Sequence, residues 1–299
     1  MSHVMRAALL LAVTLSVAAC ASTREDIGAG AGGAVPAGVR ERAEAALAMG
    51  AYEDALTQYR IILSRDPEDP MARLGIAEVQ LGSGDLKQAE AGFGALKEVA
   101  AVRAKALQGE GLALLLAGRT KTAEEPLRAA VAEDAGLWRA WNALGRIHDG
   151  RGEFDAAKPC YEQALASQPN SPVVLNNLGF SRLMAGDHAE AARLLTQAAE
   201  SDDGEEARVR TNLRLALAWQ GEYVAAFAGA RPAELPVVLN NVGFVALQRG
   251  DVAAAKAYLS RATEISPEYF DVARRNLDQA RWVEENKVLA DGAKPGKRS

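Results

Sequence analysis

The stretch WRAWNALGRIHDGRGEFDAAKPCYEQALASQP, residues 138–169, contains one complete copy of a pattern that recurs along the chain. In this copy the small Gly145 precedes a turn glycine, Gly152, by seven residues, and the small Ala157 and the large Tyr161 follow it. The same four positions recur at a step of 34 residues, and their turn glycines are Gly50, Gly84, Gly118, Gly152 and Gly186. Five copies of one structural unit therefore follow one another in register.

Each copy is predicted to form two antiparallel helices joined at the turn glycine. Helix axes that approach to about 8–10 Å need small side chains where they cross, and large side chains fill the neighbouring grooves. Gly145 and Ala157 are the expected crossing points, and Trp141 and Tyr161 are the expected fillers. A step of 34 residues with this register is typical of tetratricopeptide repeats. The predicted fold is therefore all-α, a tetratricopeptide repeat superhelix (α-solenoid) of about seven helix-turn-helix repeats with a C-terminal capping helix.

The register divides the folded part of the chain into successive regions. Repeats one to five are expected over residues 39–205, and an irregular repeat six and a regular repeat seven over residues 206–269. A capping helix is expected at residues 270–289, because the end of a repeat array needs a polar outer face. Residues 290–299 are basic and are predicted to form a disordered tail.

Repeat six departs from the regular spacing. Its turn glycine, Gly221, follows Gly186 by 35 residues, but the next one, Gly250, follows after only 29. The missing residues fall after the turn, so the second helix of this repeat is predicted to be short, over residues 223–230. This irregularity leaves open whether repeat six bends or breaks the superhelix.

The N-terminal region predicts export and anchoring. Residues 1–19 have the apolar run and small-residue end of a secretory signal peptide. The sequence Val17-Ala18-Ala19-Cys20 resembles a bacterial lipobox, which makes Cys20 the candidate lipidation site. Residues 20–38, rich in Gly and Ala, are predicted to form a flexible tether. Because Ala21 follows the cysteine, lipoprotein sorting favours an outer-membrane lipoprotein facing the periplasm; the alternative is ordinary signal cleavage and a soluble periplasmic protein.

Composition and charge bear on the class of partner. The 299 residues carry a net charge of -5 and are 49% hydrophobic but only 5% aromatic. An acidic chain offers no basic field to a phosphate backbone, so nucleic acid is not an expected partner. The expected partner is a protein or a peptide segment, with the membrane reached through the lipid anchor.

The candidate partner groove lies on the first helix of each repeat, which is expected to line the concave side of the superhelix. Asn side chains there are predicted to hold a peptide backbone, and Phe and Leu to accept its apolar face. The basic residues form a weak candidate clamp for a C-terminal carboxylate. The alternative for the apolar residues is packing between helices. The candidate residues are Lys105, Arg139, Asn142, Arg146, Asn176, Phe180, Leu183, Asn240 and Phe244.

The sequence does not predict an enzyme. His148 and His188 lie in different repeats, without a His or Cys at zinc-like spacing, and no Walker-type, GxGxxG or HExxH sequence is present. His148 is expected to be a packed ring, and Cys160 a small buried side chain. No cofactor or metal is expected. A hydrolase or transferase acting through either histidine is kept as the alternative of a different class.

Two nearly identical strings indicate a narrower resemblance. They are PVVLNNLGF at residues 172–180 and PVVLNNVGF at residues 236–244, and RVRTNLRLALA at residues 208–218 lies between them. With the lipobox, these strings resemble the TadD family, the tetratricopeptide lipoproteins of the tight-adherence (Flp) pilus system. The chain departs from that family's pattern at Thr211 and Arg214, and in its long array before repeat four.

The resemblance implies a pilotin-like or assembly role. A protein of this family would bind an outer-membrane secretin, or another pilus component, and assist its assembly at that membrane. The alternative is a periplasmic tetratricopeptide lipoprotein that regulates a cell-wall enzyme or another envelope complex. Neither role requires a catalytic residue.

Overall fold

The computed structural model of the chain describes residues 34–200, 206–266 and 271–292. Every regular element in these ranges is an α-helix, which confirms the predicted fold class. The helices are α1 (Val39–Ala48), α2 (Tyr52–Arg65), α3 (Pro70–Gly82), α4 (Leu86–Gly94), α5 (Arg103–Leu116), α6 (Thr120–Glu133), α7 (Trp138–Gly150), α8 (Phe154–Ser167), α9 (Pro172–Met184), α10 (His188–Ala199), α11 (Glu206–Gln220), α12 (Tyr223–Ala226), α13 (Leu235–Gln248), α14 (Val252–Ile265) and α15 (Asp271–Gly292). Cys20, the predicted signal peptide and most of the predicted tether lie outside the described residues.

The helices pair as the register predicts. Odd-numbered helices from α1 to α13 are the first helices of repeats one to seven, and even-numbered helices from α2 to α14 are the second helices. The turn glycines between them have φ between 72° and 88°, a left-handed conformation in which a side chain is strained. Asp85, Asp187 and Asp251 follow such glycines, and each accepts a hydrogen bond from the backbone N–H three residues later. These aspartates cap the second helices.

The small and large positions interlock inside each regular repeat. A Cβ atom added to Gly145 would lie 2.7 Å from the ring of Tyr161, and one added to Gly179 would lie 2.7 Å from Cγ of Leu195. Tyr161 and Leu195 are fully buried. The predicted crossing point at Gly145 is therefore confirmed, because only glycine leaves room for the large side chain between the two helices of this repeat.

The large side chains also join consecutive repeats. The rings of Tyr59 and Phe93 lie against Gly75 and Gly109, which belong to the first helix of the following repeat. Each ring thus packs between two first helices, in agreement with the burial of both side chains. Every repeat of the array contacts its neighbours, and the buried side chains form a series of apolar clusters along it.

The curvature of the array follows from which helices meet. Consecutive first helices contact each other along the described chain, from α1 and α3 to α13 and α15. Consecutive second helices make no such contacts within the described residues. The first helices are therefore crowded together on the concave side, and the second helices are spread on the convex side.

Two elements differ in length from their sequence prediction. The second helix of repeat six, α12, ends at Ala226 rather than at residue 230, because turns replace helix from Phe227 onward. The final helix, α15, continues to Gly292, whereas the predicted cap ends at residue 289. Asn276 of α15 donates a hydrogen bond to Oδ1 of Asn240, so α15 packs like the first helix of an eighth repeat.

Candidate protein-binding groove

The inner wall of the array can be located from a pocket near its N-terminal end. This cavity of about 570 Å³ is lined by Leu47, Glu78, Leu116 and Arg139, which come from four successive first helices. Nη1 of Arg139 lies 3.0 Å from Oε2 of Glu78, so this ion pair joins α7 to α3 across the intervening helix α5. Counted back from the turn glycine of its own repeat, Arg139 is at position thirteen, Glu78 at six, Leu47 at three and Leu116 at two. We call these four the inner-wall register positions, because the residues at them face one concave space.

The same register positions carry exposed apolar side chains in the C-terminal half. Phe180 and Phe244, each six residues before a turn glycine, are 41% and 40% exposed. Val272 of α15 is at the register position of Val237 in α13, because each valine lies four residues before an asparagine, Asn276 or Asn241. We call this set the apolar stripe, and it consists of Phe180, Met184, Val237, Phe244 and Val272. Exposed apolar side chains that share one wall indicate a contact surface.

Six of the candidate groove residues have their side chains at the wall or buried just behind it. Lys105 and Arg146 are exposed at inner-wall positions, as are Phe180 and Phe244 of the apolar stripe. Arg139 is bound to Glu78, so the candidate basic clamp contains its own carboxylate. Leu183 is only 8% exposed and packs against α10 and α11.

The candidate asparagines lie in the seams between first helices rather than on the open wall. Asn142, Asn176 and Asn240 are no more than 9% exposed. Oδ1 of Asn142 accepts from Asn177 at 2.9 Å, and Oδ1 of Asn176 accepts from Asn212 at the same distance. We call these bonds and the Asn276–Asn240 bond the asparagine ladder. The geometry shows a structural use of these amides between repeats, and contact with a partner stays a prediction.

A second buried polar link joins repeats four and five. Asp149 accepts a hydrogen bond from the Tyr161 hydroxyl at 2.7 Å and another from the Ser181 hydroxyl at 2.6 Å. Burial and the bond to Asp149 raise the pKa of Tyr161 far above its usual range, so the phenol stays protonated. The Tyr161 hydroxyl is therefore used as a hydrogen-bond donor inside the repeat.

The histidines are part of the packing. Nδ1 of His148 lies 2.6 Å from Oε2 of Glu153, and the His148 side chain is 12% exposed, in agreement with the expected packed ring. His188 is the first residue of α10 and stacks on Trp219 with ring centroids 5.0 Å apart. Burial and the nearby Arg249 lower the pKa of His188.

No metal site or membrane span was found in the described ranges. No three His, Cys, Asp or Glu side chains of residues 34–200, 206–266 and 271–292 are grouped so as to hold a metal ion. Cys160 is buried, and burial raises the pKa of its thiol. None of the described helices is both long and apolar enough to cross a bilayer.

Repeat six replaces the apolar interlock with an ion pair. In repeats five and seven, the interlock is a glycine seven residues before the turn glycine packed against a leucine nine residues after it. Repeat six has Arg214 at the first of these positions and Ala230 at the second. Nη2 of Arg214 lies 3.2 Å from Oε2 of Glu234, which also binds Arg231. The bonds from Arg231 and Arg214 lower the pKa of Glu234 to about 2.

A cavity of about 240 Å³ lies beside this ion pair, between α11 and α13. We call it the repeat-six cavity. Its lining is mixed, with five polar or charged residues and six apolar ones, and Leu215 and Val237 are at inner-wall register positions. The lining includes Arg210, Thr211, Arg214, Leu215, Glu234, Val237, Val238, Asn241 and Val242. Sequence reasoning identified the short second helix but not the cavity that results from it.

Stacked helical hairpins with a concave wall and an exposed apolar stripe define a helical-repeat scaffold protein. The tetratricopeptide repeat family matches residues 40–98 and 142–206, and a second tetratricopeptide repeat model matches residues 237–269. These matches cover just over half of the chain, which belongs to the tetratricopeptide repeat family. Proteins of this family are generally non-enzymatic and bind other proteins.

Three proteins with similar sequence or structure are each less than 25% identical to this chain. The human protein O-mannosyl-transferase TMTC1 is 23% identical over 219 residues, which are 73% of this chain but 18% of that protein. The chain thus spans about a fifth of the curated relative. The thermophilic protein TTC0263 of Thermus thermophilus is 20% identical, with a TM-score of 0.50 over 63% of this chain and 97% of that one. The pilF protein of Pseudomonas aeruginosa is 16% identical, with a TM-score of 0.48 over 82% of this chain and 98% of that one. The likeness to TTC0263 shows the fold.

Proposed function

We propose that this protein is a membrane-anchored scaffold that binds a protein segment along the apolar stripe and assists the assembly of a secretin or pilus at the outer membrane. Binding of proteins is the general role of its family. The observation that carries the proposal is the position of the exposed apolar side chains. Phe180 and Phe244 remain about 40% exposed at the same inner-wall position of two near-identical helices.

The stripe is suited to the apolar face of a peptide or helix. An amphipathic segment in a groove is held by a few apolar anchors at helical spacing, and the surrounding polar residues set its orientation. Arg146 and Lys105 are exposed on the inner wall before the stripe begins and can contact the polar part of such a segment. The wall therefore offers charged contacts near its middle and apolar contacts beyond.

The anchoring part of the proposal rests on the sequence. Acyl chains on Cys20 would hold the array at the bilayer surface, and the Gly- and Ala-rich tether would let the repeats stand clear of the lipid. A scaffold confined to a membrane raises the effective concentration of its groove there. This promotes assembly of a multimer at that surface without any catalytic step. The resemblance to the TadD family supports a secretin or another pilus component as the partner.

The test compares three variants in cells that assemble the pilus. Cys20→Ala is expected to release the protein from membranes and lower the amount of secretin multimer. The double variant Phe180→Glu with Phe244→Glu is expected to stay in the membrane but to lower the multimer as well. Val224→Glu, which changes an exposed side chain off the wall, is the matched control.

Membrane fractionation and gel analysis of secretin multimers give the readouts. Unchanged multimer in the Phe180 and Phe244 double variant would show that the stripe does not bind this partner. Unchanged multimer after Cys20→Ala, with the protein released, would remove the assembly role of the anchor. A loss in Val224→Glu equal to that of the stripe variant would show that surface charge alone causes the effect.

A further inference from the structure

The repeat-six cavity lies beside Arg214, at the register position where repeats five and seven have the glycine that packs against a buried leucine. In repeats five and seven, Leu195 and Leu259 fill the space between their own first helix and its second helix. In repeat six Ala230 stands at that register position, and α12 ends before it at Ala226. The space is therefore filled only in part, and the cavity remains between α11 and α13.

The charges beside the cavity are unequal. Glu234 accepts from Nε of Arg231 at 2.7 Å and from the Arg231 backbone N–H at 3.3 Å, while Arg214 reaches it at 3.2 Å. Two guanidinium groups thus share the carboxylate of Glu234. Because the pKa of Glu234 is lowered, this carboxylate is ionised at neutral pH. Glu234 would keep Arg231 as a partner if Arg214 bound a second carboxylate. An arginine presents five N–H donors in a planar fork, so Arg214 is suited to such a bond.

The size and opening of the cavity limit what can enter it. At about 240 Å³ it is smaller than the usual pocket for a small-molecule ligand, so it suits one or two side chains of a partner. Val237, which lines it, is exposed at an inner-wall register position, and Thr211, at the seam position of the neighbouring helix, is also exposed. The cavity therefore opens beside the apolar stripe, between the repeats that carry Phe180 and Phe244.

We infer that the repeat-six cavity binds an acidic side chain of the partner segment, whose apolar neighbours lie on the stripe. This inference rests on the proposed function, since it assumes a protein segment on the inner wall. It adds the chemistry of that segment: a Glu or Asp flanked by apolar residues. A charge-assisted bond to a partly buried arginine gives more discrimination than an exposed ion pair.

The experiment measures peptide binding to the purified chain by fluorescence anisotropy. The probes are three 12-residue peptides of leucine and alanine that differ only at the central residue, which is Glu, Gln or Lys. The wild-type chain is expected to bind the Glu peptide about tenfold more tightly than the Gln peptide, and the Lys peptide least, as one charge-assisted bond allows.

Variants of the chain locate the effect. Arg214→Gln is expected to abolish the preference for Glu over Gln, and Arg214→Lys to retain part of it. Arg193→Gln is the matched control, because Arg193 forms an exposed ion pair with Glu190 on α10, away from the cavity. Circular dichroism melts of each variant show whether the array is intact. A preference for Glu that persists in Arg214→Gln would overturn the inference.

Two further results separate the inference from the proposed function. Equal binding of the Glu and Gln peptides, lost in Phe180→Glu, would overturn the acidic side chain but keep the stripe. No binding of any peptide would count against both.

Discussion

Repeats five and six are neighbours built on the same plan, but different forces hold them together. Repeat five packs Leu195 against Gly179 in a fully buried interlock, and it has two helices of similar length. Repeat six has a second helix of four residues and an ion pair of Arg214 with Glu234 in place of the interlock. The comparison teaches that the array tolerates one repeat without the glycine–leucine interlock when intact repeats flank it. It also teaches that a cavity lies beside such a repeat.

The largest expected difference between the two repeats is in how much the free energy of unfolding falls when the side chain nine residues after the turn glycine is shortened. Leu195→Ala removes a fully buried side chain and should cost roughly 2–5 kcal/mol. Ala230→Gly, at the same register position of repeat six, should cost about 1 kcal/mol or less. Chemical denaturation followed by circular dichroism measures both. Equal losses would show that the two repeats are held in the same way.

A smaller difference is expected in the asparagine ladder. Asn176→Ala removes the acceptor of Asn212 Nδ2 and should cost about 1–3 kcal/mol, because a buried donor loses its partner. Repeat six has Thr211 at this register position, and its hydroxyl bonds instead to the backbone of Ala207 at 2.8 Å. Thr211→Asn should therefore extend the ladder towards Asn241 and stabilise the chain by about 1 kcal/mol.

The same denaturation measurements check the ladder, with hydrogen exchange in α11 and α13 as a local readout. A destabilising Thr211→Asn would mean that the seam between repeats six and seven has no room for the amide. An Asn176→Ala variant as stable as the wild type would show that the ladder does not hold the repeats together.

The smallest expected effect is a dependence on pH that belongs to repeat six. Glu234 has a pKa lowered from 4.5 to about 2, so its contribution to stability is complete above about pH 4.5 and is lost as the pH falls towards 2. Glu124 has a pKa lowered to about 2 by Arg151 and Arg128 and titrates in the same window. Glu234→Gln should therefore remove only part of the acid-induced loss.

The measurement is the difference between wild-type and Glu234→Gln melting temperatures from about pH 7 to about pH 2. The difference should shrink below about pH 4.5. A difference that stays constant through this range would show that the ion pair of repeat six does not titrate with folding.

Much of the fold was predictable from the sequence because its determinants are local and repeat. A second helix begins two residues after each turn glycine, and the small and large residues that interlock are sixteen residues apart in every regular repeat, as Gly145 and Tyr161 are. The asparagine ladder was harder to read. Its partners are 35 or 36 residues apart. The sequence does not distinguish an asparagine that is buried between helices from one that is exposed to solvent.

The site was predictable only in part. Phe180, Phe244, Lys105 and Arg146 are exposed at the register positions that the sequence indicated, and their contact with a partner stays a prediction. The register did not indicate that Arg139 pairs with Glu78, because that contact joins residues 61 positions apart and depends on how strongly the array curves. The repeat-six cavity was also missed. A short helix can be read from spacing, but the volume it leaves depends on how closely its neighbours approach.

The sequence by itself determined the class of fold, the number of repeats and the place where the register fails, because each depends on the spacing of small and large side chains along one chain. Only the tertiary structure decided which first-helix residues are open on the inner wall and which are closed in the seams. The physical reason is that exposure depends on the distance between helices of different repeats. That distance is set by the packing of the whole array rather than by any single stretch of residues.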